Sequence, residues 1–339
     1  MNTSSSLKRR TLLAGAASVG AGALIPRFAQ AAEFTYKFGN NLPPSHPMNV
    51  RAKEAVDRIK AETNGRLEIQ VFPASQLGSD SDMLSQVRSG GIDFFTMAGA
   101  LLSSLVPVCN IEGIAYAFPD YATVWKAMDG SLGNHVRSEI AKFNLVPMDR
   151  VWDNGFHQIT TKNRPINSPA DMKGLKIRTG ATPLQVMMCT ALGASPTTIG
   201  FNELYTSLQT GVVDAQLNAL VVIKAAKFYE VQKYCALTDH MWSGFWFLAN
   251  KDSWERLPEP LRAVAAKHLN ASALAEREDI AGSSAKLQEE LTAAGMVFNR
   301  PQGAQFRQAL QQAGFYRDWK AKLGDRAWGL LESHVGKLA

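Results

Sequence analysis

Two periodicities take turns along the chain. Phe34-Thr35-Tyr36-Lys37-Phe38 alternates aromatic and polar positions and predicts a strand. Asn40 to Pro44 then forces a loop. From Met48 to Thr63 the apolar positions Val50, Ala55, Val56 and Ile59 fall at helical spacing, and Asn64-Gly65 stops the helix. Leu67 to Phe72 alternates again. Ser79-Asp80 can cap a helix running to Ser89, Gly90-Gly91 ends it, and Ile92 to Thr96 reads as a third strand. The same grammar returns later: strands over Gly155–Thr161, Leu175–Arg178 and Val212–Leu217, and helices over Thr182–Leu192 and Phe201–Thr210.

Strands alternating with helices predict an α/β fold. Two segments share one local logic. Leu84 to Asp93 and Leu204 to Asp214 each end a helix on Gly-x-x-Asp and feed a strand, which favours two similar lobes over one large barrel. Trp254 to Gly295 forms one long helical tract, with Pro258 and Pro260 near its start. It is longer than one lobe needs, so it is expected to cross between lobes. Residues 301–336 predict two further amphipathic helices. With no low-complexity linker, the lobes should be joined by strands or helices, which makes a hinge with a cleft.

Composition narrows the class. The chain has 339 residues, 46% hydrophobic and 19% charged, enough for sizeable cores and too apolar for wholesale disorder. The formal charge is +6. Lys8, Arg9, Arg10 and Arg27 lie in residues 1–31, which hold no acid, so the remainder carries only +2. A near-neutral body without a basic run gives no electrostatic reason to bind nucleic acid. Residues 1–31 read as a cleavable export signal: Lys8-Arg9-Arg10, a mildly apolar stretch from Leu12 to Ile25, and a small-x-small site at Ala29-Gln30-Ala31. The apolar stretch is short for a membrane span. Arg9-Arg10 followed by Thr11-Leu12-Leu13 favours the twin-arginine route, an ordinary secretory signal being the alternative. No Cys at the cleavage site marks a lipid anchor. The expectation is a soluble periplasmic protein.

Chemical signatures are sparse. Cys109, Cys189 and Cys235 are odd in number and widely spaced, which is not a disulfide framework, although one bridge is open to them. There is no nucleophile elbow, Walker loop or His-Glu-x-x-His. The six histidines never pair at metal-ligand spacing, so neither a metal nor a cofactor is expected. The acids are expected at helix starts and on surfaces. Asp171 to Arg178 runs from a turn into a strand that ends in Arg. A guanidinium there can clamp a carboxylate by two parallel hydrogen bonds. On local features alone, a surface salt bridge is the favoured reading.

Longer stretches decide between these. Asn163–Arg178 (NRPINSPADMKGLKIR), Leu192–Asp214 (LGASPTTIGFNELYTSLQTGVVD), Ser75–Gly78 and Gly90–Asp93 together resemble the DctP-type, family 7 extracellular solute-binding proteins of tripartite ATP-independent periplasmic (TRAP) transporters. The resemblance runs over about residues 33–320, in consistent order. It implies a two-lobed periplasmic solute-binding fold with the cleft at the hinge. Lobe I would comprise 32–154 and about 243–282, and lobe II 155–242 and about 283–339. It implies a monomeric receptor, not an enzyme, that delivers an organic acid to a membrane permease driven by an ion gradient. By resemblance, Arg178 pairs with the ligand carboxylate, Asn218 contacts it, Phe201 lines the pocket, and Asn41 is a polar contact from the first lobe.

Three departures bear on the ligand. His157 stands where many members carry a second Arg, which argues against two carboxylates. A neutral imidazole would instead serve a keto or hydroxyl oxygen. Leu217 replaces a usual Glu. Met97 to Leu101, Ala98 included, is apolar where sugar-acid receptors are polar, and Trp242 lies in the dense aromatic run 241–246. The expected ligand is therefore an aromatic or branched 2-oxo or 2-hydroxy monocarboxylate. The alternatives are a C4-dicarboxylate or sugar acid, an exported enzyme, or a sensor receptor.

Overall fold

The computed structural model describes residues 31–339, so all but the last residue of the expected export signal lies outside the described residues. The chain opens on β1 (Phe34–Gly39), which turns Tyr36 and Phe38 inward. α1 (Pro47–Glu62) starts where the His46 imidazole accepts the Met48 N–H and Pro47 occupies the first turn. Its buried stripe is Met48, Ala52, Ala55, Val56 and Ile59. Val50, expected on that stripe, is 48% exposed, because the spacing that buries 48 and 52 turns 50 outward.

β2 (Leu67–Phe72) follows, then α2 (Asp80–Ser89). A reciprocal capping box between Ser79 and Asp82 starts α2, and Gly90 in the left-handed region ends it. The next strand, β3 (Phe94–Ala98), begins two residues later than expected, because Gly91 and Ile92 spend their N–H groups on the Gln86 carbonyl. After α3 (Gly99–Leu102) come α4 (Tyr121–Met128), α5 (Ser131–Ile140) and the short β4 (Leu145–Pro147).

The second half comprises β5 (Trp152–Thr161), β6 (Lys176–Thr179), α6 (Pro183–Ala191), β7 (Ser195–Thr198), α7 (Phe201–Thr210), β8 (Ala215–Ala219), α8 (Leu220–Ala225), β9 (Tyr234–Ala236) and β10 (Trp242–Asn250). β8 starts later than the expected Val212, since Val212 and Val213 fold back onto the Ser207 carbonyl to close α7. The chain ends with α9 (Lys251–Arg256), α10 (Glu259–Ala293), β11 (Val297–Asn299), α11 (Gly303–Gln312) and α12 (Phe315–Val335). The long tract expected from Trp254 is thus interrupted at Leu257-Pro258. A residue before proline is pushed to extended backbone, and Leu257 has φ −67° and ψ 131°.

The strands run β2-β1-β3-β10-β5-β8-β6-β7, with β4 beside β10 and β9 between β5 and β11. β1 is parallel to β2 and β3, and β6 is parallel to β7 and β8. These are the two α/β lobes. Two long antiparallel strands join them. Trp152 to Phe156 of β5 pairs with β10, whereas His157 to Thr161 pairs with β8. Trp242 to Phe245 of β10 pairs with β5, and Phe245 to Ala249 pairs with β3. The crossover is marked by a register shift between Ser243 and Gly244 and by Gly155 at φ +95°, a conformation that a side chain would strain.

α10 lies across the junction. At about 1.5 Å per residue its 35 residues span about 52 Å. It is tied to α1 by Arg51–Asp279 (2.7 Å) and Lys267–Glu62 (2.9 Å), and to α8 by Lys224–Glu290 (3.3 Å). In its middle, Arg277 forks onto Asp129, donates to the Val151 carbonyl and stacks 3.8 Å over the Trp125 ring. α12 packs on residues 107–113, α4, α5, α6 and α11, and the Tyr316 hydroxyl donates to the Ala115 carbonyl at 3.1 Å. Cys109, Cys189 and Cys235 are all buried and unpaired.

Candidate functional site

Arg178 sits near the end of β6, held between β7 and β8, and is 5% exposed. Its Nε donates to the Ile199 carbonyl at 2.9 Å. Its two terminal nitrogens have no protein partner among the described residues. Burial pulls its pKa down to about 10, and the nearby Asp80 partly restores it, so the guanidinium stays charged at neutral pH.

This cation faces a cavity of about 50 Å³ between the lobes. Asn41, Ala98, His157, Phe201 and Asn218 line it with Arg178. Six of the seven residues expected at the site are therefore brought together from β1's following loop, β3, β5, β6, α7 and β8. The seventh, Trp242, is not among them. Its indole points away and donates to Asp153 at 2.8 Å, with Trp125 and Phe118 packed against the ring. The pleat explains the correction: on β10 residues 243 and 245 face the cavity and 242 faces the opposite side. Phe245 supplies the aromatic wall expected of Trp242. Met97 of β3 likewise points away, while Ala98 and the α3 residues Ala100 and Leu101 line the wall.

The polar groups differ in how firmly they are held. Asn218 donates to Gln216, which donates to Thr160 at 2.7 Å, which donates to Gln232 at 3.1 Å. That buried chain fixes the amide. Asn41 donates to Asp80 Oδ2 at 3.0 Å, and its own Oδ1 has no partner. His157 is 4% exposed. Its Nε2 lies 3.4 Å from Asn154 Nδ2, its Nδ1 is unpartnered, and the His240 ring is 6.2 Å away. Burial, then the neighbouring His240 and Arg178, push the His157 pKa down to about 3, so the ring is neutral at neutral pH. With Asn154 donating to Nε2, the proton resides on Nδ1, the free nitrogen.

Sequence reasoning missed four acids. Asp80 is half-buried as a residue, yet its Oδ1 is enclosed and unpartnered, and burial raises its pKa against the opposing pull of Asn41 and Arg178. Glu112, Asp153 and Glu276 are 0–1% exposed, not on the surface as expected. Glu112 lies directly behind the pocket wall. It accepts from Trp246 Nε1 at 2.8 Å and from the Gly244 N–H at 3.3 Å. A Cβ on Gly99 would stand 2.2 Å from its carboxylate, so the wall there must be glycine. Burial pushes Glu112 up to about 8. Asp153 and Glu276 meet where β5 crosses α10, Glu276 accepting the Asp153 N–H at 2.8 Å, and burial raises both. The capping rules did flag Asp80 as a helix start. Asp153 lies beside Asn154-Gly155 and reads as a turn, so nothing local announces its burial.

A larger cavity of about 500 Å³ lies among Phe118, Tyr121, Phe156, Asp239, Arg300 and α10. Its one Arg is already paired with Asp239 at 2.7 Å. The chemistry for an anion is in the smaller pocket. No cluster of three or more His, Cys, Asp or Glu that could hold a metal occurs among the described residues, and none of their helices is long and apolar enough to cross a membrane.

The family model described as bacterial extracellular solute-binding protein, family 7, matches residues 38–318. An uncharacterized protein of Sinorhizobium fredii is 36% identical over 268 residues, covering 79% of this chain, which spans about half (49%) of that relative's length. The 2,3-diketo-L-gulonate-binding periplasmic protein of Escherichia coli is 31% identical over 260 residues, covering 77% of this chain and 79% of that protein. A solved TRAP periplasmic solute-binding protein of Sulfurospirillum deleyianum, with bound succinate, superposes with a TM-score of 0.84 at 25% identity, covering 89% of this chain and 98% of that one. With the two-lobed fold and the interlobe pocket on the page, these matches show that the chain belongs to the DctP-type, family 7 extracellular solute-binding proteins of TRAP transporters.

Proposed function

We propose that this protein is an exported, monomeric periplasmic receptor that binds an organic monocarboxylate between its lobes and hands it to a TRAP membrane permease. One observation carries the reading: a buried Arg whose two terminal nitrogens are without a protein partner among the described residues and that lines the cavity between the lobes. A carboxylate placed there gains two charge-assisted hydrogen bonds and relieves an unpaired buried charge. His157 Nδ1–H and Asn218 would serve a 2-oxo or 2-hydroxy oxygen, and Ala98, Leu101, Phe201 and Phe245 would cover the carbon body. The E. coli relative named for a diketo acid supports the 2-oxo reading. The relative with bound succinate supports the alternative, a C4-dicarboxylate. The proposed hinge divides the lobes near Asn154/Gly155 and Trp242/Ser243.

A thermal-shift screen against organic acids tests this. A ligand at 100 times its dissociation constant stabilises the fold by about 2.7 kcal/mol, several degrees of melting temperature. Branched 2-oxo acids should give the largest shifts. No shift with any carboxylate would overturn the reading, and a larger shift with succinate would favour the dicarboxylate.

A further inference from the structure

We propose that the pocket admits a second negative charge only together with a proton, and that His157 is the seat of that proton. The inference rests on the carboxylate-receptor reading above and concerns how that site discriminates ligand charge.

The pocket wall carries one permanent cation, Arg178, among the described residues. That cation is not fully available to a ligand, because Asp80 of α2 lies near enough to act on it electrostatically. A dianion would satisfy Arg178 with one carboxylate and bury the other against groups without fixed charge. An isolated ionised carboxylate in such surroundings is costly unless its surroundings change protonation. His157 is the one titratable wall residue placed to change. It is nine-tenths buried, and its Nδ1 has no protein partner.

The groups that face His157 make protonation conditional. From β6 comes the positive Arg178, and from the turn before β10 comes His240, whose Nε2 is also unpartnered. Asn154 of its own strand and Asn218 of β8 are neutral. Asp80 of α2 is directed at Asn41 and Arg178. In the empty pocket nothing compensates a charged imidazole, and burial keeps the ring neutral far below pH 7. A carboxylate on Nδ1 reverses the balance, since an opposite charge in contact favours the imidazolium. The dianion and the proton therefore enter as a pair, and a monocarboxylate enters alone. An Arg at 157 would supply the second cation permanently, and no proton would be taken up.

Calorimetric titration of succinate and of a branched 2-oxo monocarboxylate is compared between about pH 6.5 and 8, above the titration of free carboxyls. Wild-type succinate affinity is expected to fall as pH rises, by up to about tenfold per pH unit where the bound His157 is still protonated, whereas monocarboxylate affinity stays flat. His157→Arg should bind succinate at least tenfold more tightly at pH 8, without the slope. His157→Gln covers the case in which the Arg variant fails to fold. It should bind succinate weakly and without slope, with the monocarboxylate also weakened through loss of the Nδ1–H bond but still flat in pH. A flat wild-type succinate profile, no succinate binding at any pH at which the monocarboxylate binds, or a slope that survives in either variant would each overturn the inference alone. Loss of monocarboxylate binding by the folded wild type would instead overturn the receptor reading, and this inference with it.

Discussion

Arg178 shows what one residue has to do in this pocket. Its Nε is committed to the Ile199 carbonyl, which orients the plane of the guanidinium and leaves the two terminal nitrogens as a fork. Truncating one partner of a buried charged pair costs about 2–5 kcal/mol, roughly 30- to several-thousand-fold in affinity at about 1.4 kcal/mol per tenfold. Arg178→Ala is expected to lose that much, measured by calorimetry on a folded protein. Arg178→Lys should recover little of it, because a single ammonium cannot donate to Ile199 and also present a planar fork to the carboxylate. Near-wild-type binding by the Ala variant would remove Arg178 from the site. The residue was legible in the sequence as a strand-end Arg, but its burial was not. Local features left it open to a surface salt bridge, and only the packing of β7, β8 and Ile199 around it closes that option.

Among the elements, the α3 start and β10 form one wall through a group that neither contributes. Glu112 gathers the Gly244 N–H and the Trp246 indole on one carboxylate, and it leaves no room for a side chain at 99. Gly99→Ala is expected to destabilise by about 1–3 kcal/mol through overpacking and to weaken ligand binding by moving Ala98 and Ala100. In the double variant with Glu112→Ala the clash is gone, so the two penalties should be less than additive by about 0.5–3 kcal/mol, the range of direct neighbours. Urea titrations of the four proteins measure this. Additive penalties would show that 99 and 112 do not share the space. This coupling explains part of the apolar run noted at 97–101: the glycine is set by a buried carboxylate behind it, not by the ligand.

For the molecule as a whole, buried titratable groups set opposing pH limbs. Burial pushes His46, His157 and His240 down to about 3 from the usual 6.5. Each binds fewer protons folded than unfolded, so its contribution is complete above about pH 6.5 and is lost as pH falls from there toward 3. Burial pushes Asp153 up to about 7 and Glu112 up to about 8. Each binds more protons folded, so stability is lost as pH rises from the ordinary carboxyl range through 7 and 8. Above pH 6.5 the histidines no longer offset the acids, and stability to urea should decline from pH 6.5 to 8. Glu112→Gln should flatten that decline. A stability that rises over this interval would contradict the assignment.

Closure is the second whole-molecule expectation. β5 and β10 run through both lobes and are interrupted at Gly155 and Ser243/Gly244, and α10 braces them from behind through Arg277 and Glu276. Such a junction bends rather than slides. A ligand held by Arg178 from one lobe and Asn41 from the other favours the closed form. Small-angle scattering should show a smaller radius of gyration at saturation than without ligand. An unchanged value would indicate a rigid pocket.

Sequence alone determined what depends on neighbours a few residues apart. Ser79 with Asp82, Gly90 and Gly211 set helix ends. The alternation of Leu67–Phe72 matches its strand, and the Gly-x-x-Asp repeat announced two similar lobes. The order of motifs singled out six residues that line one cavity, without showing how they meet. Tertiary structure decided what depends on partners far along the chain. Trp242 or Phe245 faces the cavity according to how β10 pairs with β5 about 90 residues earlier, and one step of the pleat exchanges them. Glu112, Asp153 and Glu276 read as ordinary surface acids, because burial of a carboxylate follows from distant donors: Trp246 and the Gly244 N–H for Glu112, Trp242 for Asp153, and the Asp153 N–H for Glu276. The 35-residue helix was visible in its spacing, but the brace it makes between lobes exists only once α1 and α8 have packed against its two halves.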